Sequence, residues 1–97
     1  MTLSKAKIDL IRKYFRDKPI QKAFLFGSFV TGEAMPDSDI DILVELDYSK
    51  PIGLRFISMR YELEELLQQQ VDLLSDKAVS KYIRPTIEDQ KQLIYER

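Results

Sequence analysis

Two aspartates one residue apart, Asp39 and Asp41, are the densest concentration of potential chemistry in this sequence. They sit in the stretch Asp39-Ile40-Asp41-Ile42-Leu43-Val44, which reads as a strand. Side chains alternate along a strand, so both carboxylates share one face while Ile40 and Ile42 share the other. Two like charges on one face repel each other unless a cation lies between them. Upstream, the apolar run Ala23-Phe24-Leu25-Phe26 stops at Gly27-Ser28, where a residue without Cβ lets the backbone approach another group and a hydroxyl follows at once. Taken singly, Gly27 is an ordinary strand-ending glycine, Ser28 a helix cap, and the aspartates the polar face of an edge strand. Their spacing joins them: ten residues lie between Ser28 and Asp39 inside a strand–turn–strand unit.

Two absences narrow the chemistry further. The chain contains no Cys and no His. That removes thiol nucleophiles, disulfides, thiolate or imidazole metal sites and any Ser-His-Asp triad. Carboxylates, hydroxyls, Lys, Arg, Tyr and backbone amides remain, and an all-oxygen ligand set selects a hard cation, above all Mg²⁺. The 15 Lys and Arg residues nearly balance 16 Asp and Glu, so there is no long-range pull toward nucleic acid or membrane, and no direct nucleic-acid binding is expected. No apolar run is long enough for a membrane span and Met1-Thr2-Leu3-Ser4-Lys5 lacks a signal peptide's apolar centre, which predicts a cytoplasmic protein.

At 97 residues, 44% of them apolar, the chain is expected to be one domain over residues 1–97 with a single core. Residues 4–17 read as a helix capped by Ser4, with Ile8, Ile11 and Phe15 on its apolar stripe and Leu10 and Tyr14 widening it. Pro19 ends it, and Ile20 to Phe26 leads into the first strand. Gly27 to Glu33 predicts a turn and a short helix, capped by Ser28, whose free amides would attract an anion. After the Pro36-Asp37 turn and the aspartate strand, Gly53 to Gln69 forms the longest helix. Its broad band of Leu54, Ile57, Tyr61, Leu63 and Leu67, with Phe56, Met59 and Leu66, is expected to be core, opposite Arg60, Glu64 and Glu65. Val71-Asp72-Leu73-Leu74 is a short third strand, and Ala78 to Ile83 about one helical turn. Pro85 either interrupts that turn or opens another short helix to Asp89, and Gln92 to Tyr95 is a last, edge strand. The order predicts an α/β or α+β layer structure, a small mixed sheet packed with helices.

The residues Leu25-Phe26-Gly27-Ser28, Gly32, Pro36, Ser38-Asp39-Ile40-Asp41 with Leu43-Val44, and Val71-Asp72-Leu73 resemble the nucleotidyltransferase superfamily of DNA polymerase beta and kanamycin nucleotidyltransferase. The resemblance is closest to the minimal nucleotidyltransferases, or MNT proteins, which pair with HEPN-domain proteins, and it extends through Tyr82-Ile83-Arg84 to Tyr95. It implies the nucleotidyltransferase fold and a Mg²⁺-dependent transfer of AMP, or another nucleoside monophosphate, from ATP or another nucleoside triphosphate to a hydroxyl. In such a reaction two Mg²⁺ ions can clamp the attacking and leaving oxygens. Asp39 and Asp41 would hold them, and Asp72 is the third ligand and proton acceptor that the resemblance also picks. Gly27 and Ser28 would hold a phosphate of the nucleotide.

The chain departs from the family in one respect. Many members carry Arg between the Gly-Ser pair and the following Gly; here Phe29-Val30-Thr31 intervene, leaving the metals, backbone amides and Lys50 or Arg55 to meet the triphosphate. With no acceptor domain, the resemblance implies a toxin–antitoxin pair in which this chain modifies or masks a HEPN-type partner. The alternative is a catalytically weak module that neutralises its partner by contact; transfer to a small molecule such as an aminoglycoside is disfavoured by the absence of a substrate domain.

Overall fold

The computed structural model describes residues 1–97. Helix α1 spans Lys5–Phe15, β1 Ile20–Phe26, α2 Ser28–Thr31, β2 Ile40–Leu46, α3 Arg55–Leu67, β3 Val71–Ser75, α4 Arg84–Gln90 and β4 Gln92–Glu96, with a 3-10 turn at Asp76–Ala78. The strands form one mixed sheet in the order β3-β2-β1-β4. β1 is antiparallel to both β2 and β4, whereas β2 and β3 are parallel. A parallel pair needs a long crossover, which α3 supplies.

The two central strands, β1 and β2, carry the unbroken apolar runs Ala23 to Phe26 and Ile42 to Val44 because both of their faces are covered there. On one face, Ala23 and Leu25 of β1 and Ile40, Ile42 and Val44 of β2 pack with Ile11 and Phe15 of α1 and Met59 and Leu63 of α3. On the other, Phe24 and Leu43 pack on Ile87 of α4, with Phe26, Leu74 and Val79 beside them. The Ser4 hydroxyl accepts from the Lys7 amide and starts α1 as expected. Pro19 is buried after α1, and its carbonyl accepts the Asp47 amide, tying the start of β1 to the end of β2.

Three expectations need correction. Helix α3 is shorter than Gly53–Gln69, because Gln68 takes a left-handed conformation (φ 53°) and stops it. Its apolar band is only partly core: Met59, Leu63 and Leu67 are buried, while Leu54, Ile57 and Tyr61 are 80%, 53% and 60% exposed and Leu66 is exposed as well. At about 100° per residue, positions 54, 57 and 61 lie on the far side of α3 from Met59, so a helix resting on one sheet face cannot bury them. Finally, the segment from Ala78 to Ile83 holds the end of the 3-10 turn and a non-helical connection, and the helix begins at Arg84 with Pro85 in its first turn. β4 is an edge strand, as its sequence suggested.

Candidate active site

The carboxylates gather where β1 ends and β2 and β3 begin. Asp41 is the second residue of β2; its register partners are Phe26 on β1 and Asp72 on β3. Partners across a sheet share a face, so Asp41 and Asp72 project side by side on the face that carries α4. Gly27 follows Phe26 at once with φ 76° and ψ −153°, a conformation open essentially to glycine alone. A methyl group added there would stand 2.1 Å from Asp41 Oδ2. Gly27 is therefore required twice, for its backbone angles and for the room it leaves the carboxylate.

Asp39 stands just before β2, outside the strand in which the sequence pattern places it. β1 pairing stops at Phe26 and Asp41, so no β1 residue remains to extend the ladder there. The end of α3 holds the segment instead. The Gln69 side-chain amide donates to the Ser38 carbonyl at 2.6 Å, and the Ile40 amide donates to the Gln70 carbonyl at 2.9 Å. Asp72 is exposed on edge strand β3, and its neighbour Val71 is gripped by α3: Arg60 Nε donates to the Val71 carbonyl at 3.1 Å, while the Val71 amide donates to the Glu64 carboxylate at 3.0 Å. Ser28 is half-buried but does not cap α2; the N-cap is Gly27, and no side chain fills that role. The Ser28 carbonyl instead accepts the Gly32 and Ala34 amides, closing the turn below α2.

Burial, the charge of Asp72 and the charge of Asp39, in that order, push the Asp41 carboxyl up to about 6 from its ordinary 3.8. The three aspartates thus form one electrostatic unit centred on Asp41, although no three acidic side chains are placed closely enough to share one ion. The strain is of a kind that a hard divalent cation relieves, and the donor set is all oxygen.

The cations expected at a triphosphate are elsewhere. Lys50 and Arg55 line a hollow with Arg16, Lys18 and Arg97 at the opposite end of the sheet. The seven residues of β1, at roughly 3.3 Å each, put about 20 Å between the two ends. On the carboxylate face, Arg84 and Lys91 are already paired with Asp76 and Glu88.

Sequence reasoning missed the supports of the site. The Gln90 side chain at the end of α4 accepts the Gly27 amide at 3.1 Å. In the sequence Arg60 and Glu64 stand only as the side of the helix opposite its apolar band, and Gln69 and Gln90 carry no signal of their own. The opposite charges of Arg60 and Glu64, one helical turn apart on α3, were the one available hint.

Residues 8–94 match the model of the nucleotidyltransferase domain family. The chain belongs to that family. This nucleotidyltransferase is 40% identical over 68 residues to the protein adenylyltransferase MntA of Thermococcus cleftensis, covering 70% of this chain and 68% of that one. Its fold matches a chain of the crystal structure of a toxin–antitoxin with AMP-PNP, with a TM-score of 0.79 and 25% identity over 93% of this chain and 73% of that one. It also matches, with a TM-score of 0.75 and 22% identity over 98% of this chain and 74% of that one, a chain of the complex of a tri-AMPylated Shewanella oneidensis HEPN toxin with MNT antitoxin. The mixed four-stranded sheet with four helices matches the minimal nucleotidyltransferase fold, with a TM-score of 0.76 and 25% identity over 91% of this chain and 89% of the chain compared.

Proposed function

We propose that this nucleotidyltransferase is the antitoxin of a HEPN-type partner and transfers AMP from ATP to a hydroxyl of that protein. The observation that carries the reading is the packing of Asp41 against Gly27, beside Asp72 and within the field of Asp39. Such a cluster is costly to an empty fold and useful to one that handles a metal-bound triphosphate. Asp39, Asp41 and Asp72 would hold Mg²⁺, which when bound supplies positive charge against the phosphate oxygens. Gly27 leaves the backbone open to the nucleotide, and Ser28 with the first amides of α2 offers donors to a phosphate. Asp72, exposed on an edge strand, can be reached by a hydroxyl carried on another molecule and would accept its proton at a carboxylate oxygen. The new bond joins the hydroxyl oxygen of the acceptor, its proton now on Asp72, to the α-phosphorus as the bond to pyrophosphate breaks. We take residues 1–97 to act as one unit, working in the cytoplasm, with the acceptor supplied by the partner.

A second reading, neutralisation by contact without transfer, is favoured by the cation-free segment Phe29-Val30-Thr31 and by the distance of Lys50 and Arg55 from the carboxylates. Intact-mass spectrometry of the HEPN-type partner after mixing with this chain and MgATP separates the two. Transfer predicts a gain of whole AMP units with wild type and none with Asp39→Asn. Equal neutralisation by wild type and Asp39→Asn with no mass change would establish the contact reading instead.

A further inference from the structure

The hollow at the far end of the sheet collects five cations, Arg16, Lys18, Lys50, Arg55 and Arg97, against one lining carboxylate, Asp17. They come from separate parts of the chain: the end of α1, the turn before β1, the loop after β2, the first residue of α3 and the end of β4. In a protein with net charge −1, such convergence is a local feature, unrelated to any overall basic character. Arg16, Lys50 and Arg55 form no ion pair, so their charge is free for a ligand. Arg97 is held in place by the Asp47 carboxylate at 2.8 Å and the Lys18 carbonyl at 3.0 Å. Helix α3 begins at Arg55 without a side-chain cap, which adds the positive end of its dipole.

We propose that this hollow binds a chain of closely spaced phosphate groups, at a site separate from the aspartates. Its volume is about 430 Å³, and its walls carry no apolar side chain apart from Pro19. A nucleobase would need apolar or aromatic contact that these walls do not offer; phosphate oxygens need only the guanidinium and ammonium donors present, and directly linked phosphates bring their charges closer together than the carboxylates of an acidic peptide can. The phosphates could belong to a free polyphosphate or to a nucleic-acid backbone; the fit to one compact hollow favours the former.

The test is an amide NMR titration in metal-free buffer, with inorganic tripolyphosphate, inorganic phosphate and a short oligouridylate as separate probes. Tripolyphosphate is expected to shift Arg16 to Lys18, Lys50, Arg55 and Arg97, and to bind at least tenfold tighter than phosphate. Oligouridylate binding more tightly than tripolyphosphate, at the same residues, would assign the phosphates to a nucleic-acid backbone. The exposed-site double variant Lys50→Glu/Arg55→Glu should lose tenfold or more in affinity, and Arg16→Gln several-fold, with each variant's amide spectrum confirming an intact fold. Asp41→Asn should bind tripolyphosphate as wild type does, even where it abolishes AMP transfer, so the two sites fail separately. The proposal is overturned by no saturable shift, by shifts centred on Gly27 to Gly32, or by unchanged affinity in the double variant.

Discussion

At the scale of single residues, Asp41 and Gly27 are one feature seen from two sides. Between pH 3.8 and about 6 the folded Asp41 keeps a proton that the unfolded chain has released. Folding stability attributable to this group therefore falls as pH rises through that window. Urea midpoints measured from pH 4 to pH 7 should show this fall in wild type and a flatter profile in Asp41→Asn, which should be as stable as wild type or more so at pH 7. Calorimetric titration of the same variant with MgATP should show binding lost. Gly27→Ala forces a side chain into both a glycine-only conformation and the Asp41 carboxylate, and should cost about 1–3 kcal/mol or more. Gly32 also has a positive φ, 88°, but a methyl group there meets nothing within 4 Å, so Gly32→Ala should cost less. If the clash carries the difference, Asp41→Ala should recover part of the Gly27→Ala loss in a double-mutant cycle read by urea denaturation. Strictly additive losses would mean that the backbone angle alone accounts for it.

At the scale of elements, α3 shows what the sequence could and could not disclose. Its existence, its approximate span and the buried Met59, Leu63 and Leu67 follow from helical periodicity. The exposure of Leu54, Ile57 and Tyr61 does not, because a hydrophobicity pattern records which residues are apolar and says nothing of how many sides a helix will have covered. Leu63→Ala should accordingly cost about 2–5 kcal/mol, whereas Ile57→Ser should stay within about 0.5 kcal/mol, both read from chemical denaturation. The same limit applies to the site. Gly27, Asp39, Asp41 and Asp72 were legible because their types and spacing are local to strands. Gln90, Arg60, Glu64 and Gln69 were not, because each acts on backbone 7 to 63 positions away. Lys50 and Arg55 misled for the opposite reason: they follow the aspartate strand closely in sequence, but a strand carries the chain away from where it began.

At the scale of the whole molecule, the two ends of the sheet carry opposite charge, aspartates at one and cations at the other. The cationic end is anchored by Asp47, a buried carboxylate that accepts from the Ser49 hydroxyl and amide and from Arg97. Those contacts, the Ser49 hydroxyl foremost and then Arg97, hold the Asp47 carboxyl down at about 2. The stability they contribute is complete above the ordinary pKa of 3.8 and is lost as pH falls from there toward about 2. Acid unfolding followed by circular dichroism should therefore be less steep over that range in Asp47→Asn, which should also be less stable than wild type at pH 7.

The position of β1 at the middle of the sheet also governs how the protein comes into being. One edge of β1 is met by β2, but its other edge waits for β4, some 65 residues further along the chain. At about 5–20 residues per second, a ribosome takes roughly 3–13 s to deliver that partner. Until then the nascent chain shows an unpaired strand edge, and Phe24 and Phe26 lack the Ile87 layer that covers their face. The segment from Ile87 to Glu96 that relieves this exposure also brings Gln90 to the Gly27 amide. Closure of the sheet and setting of the glycine turn thus fall in the same late moment of synthesis, and a chain interrupted before residue 87 would emerge as a client for chaperones, with the turn at Gly27 not yet held by Gln90.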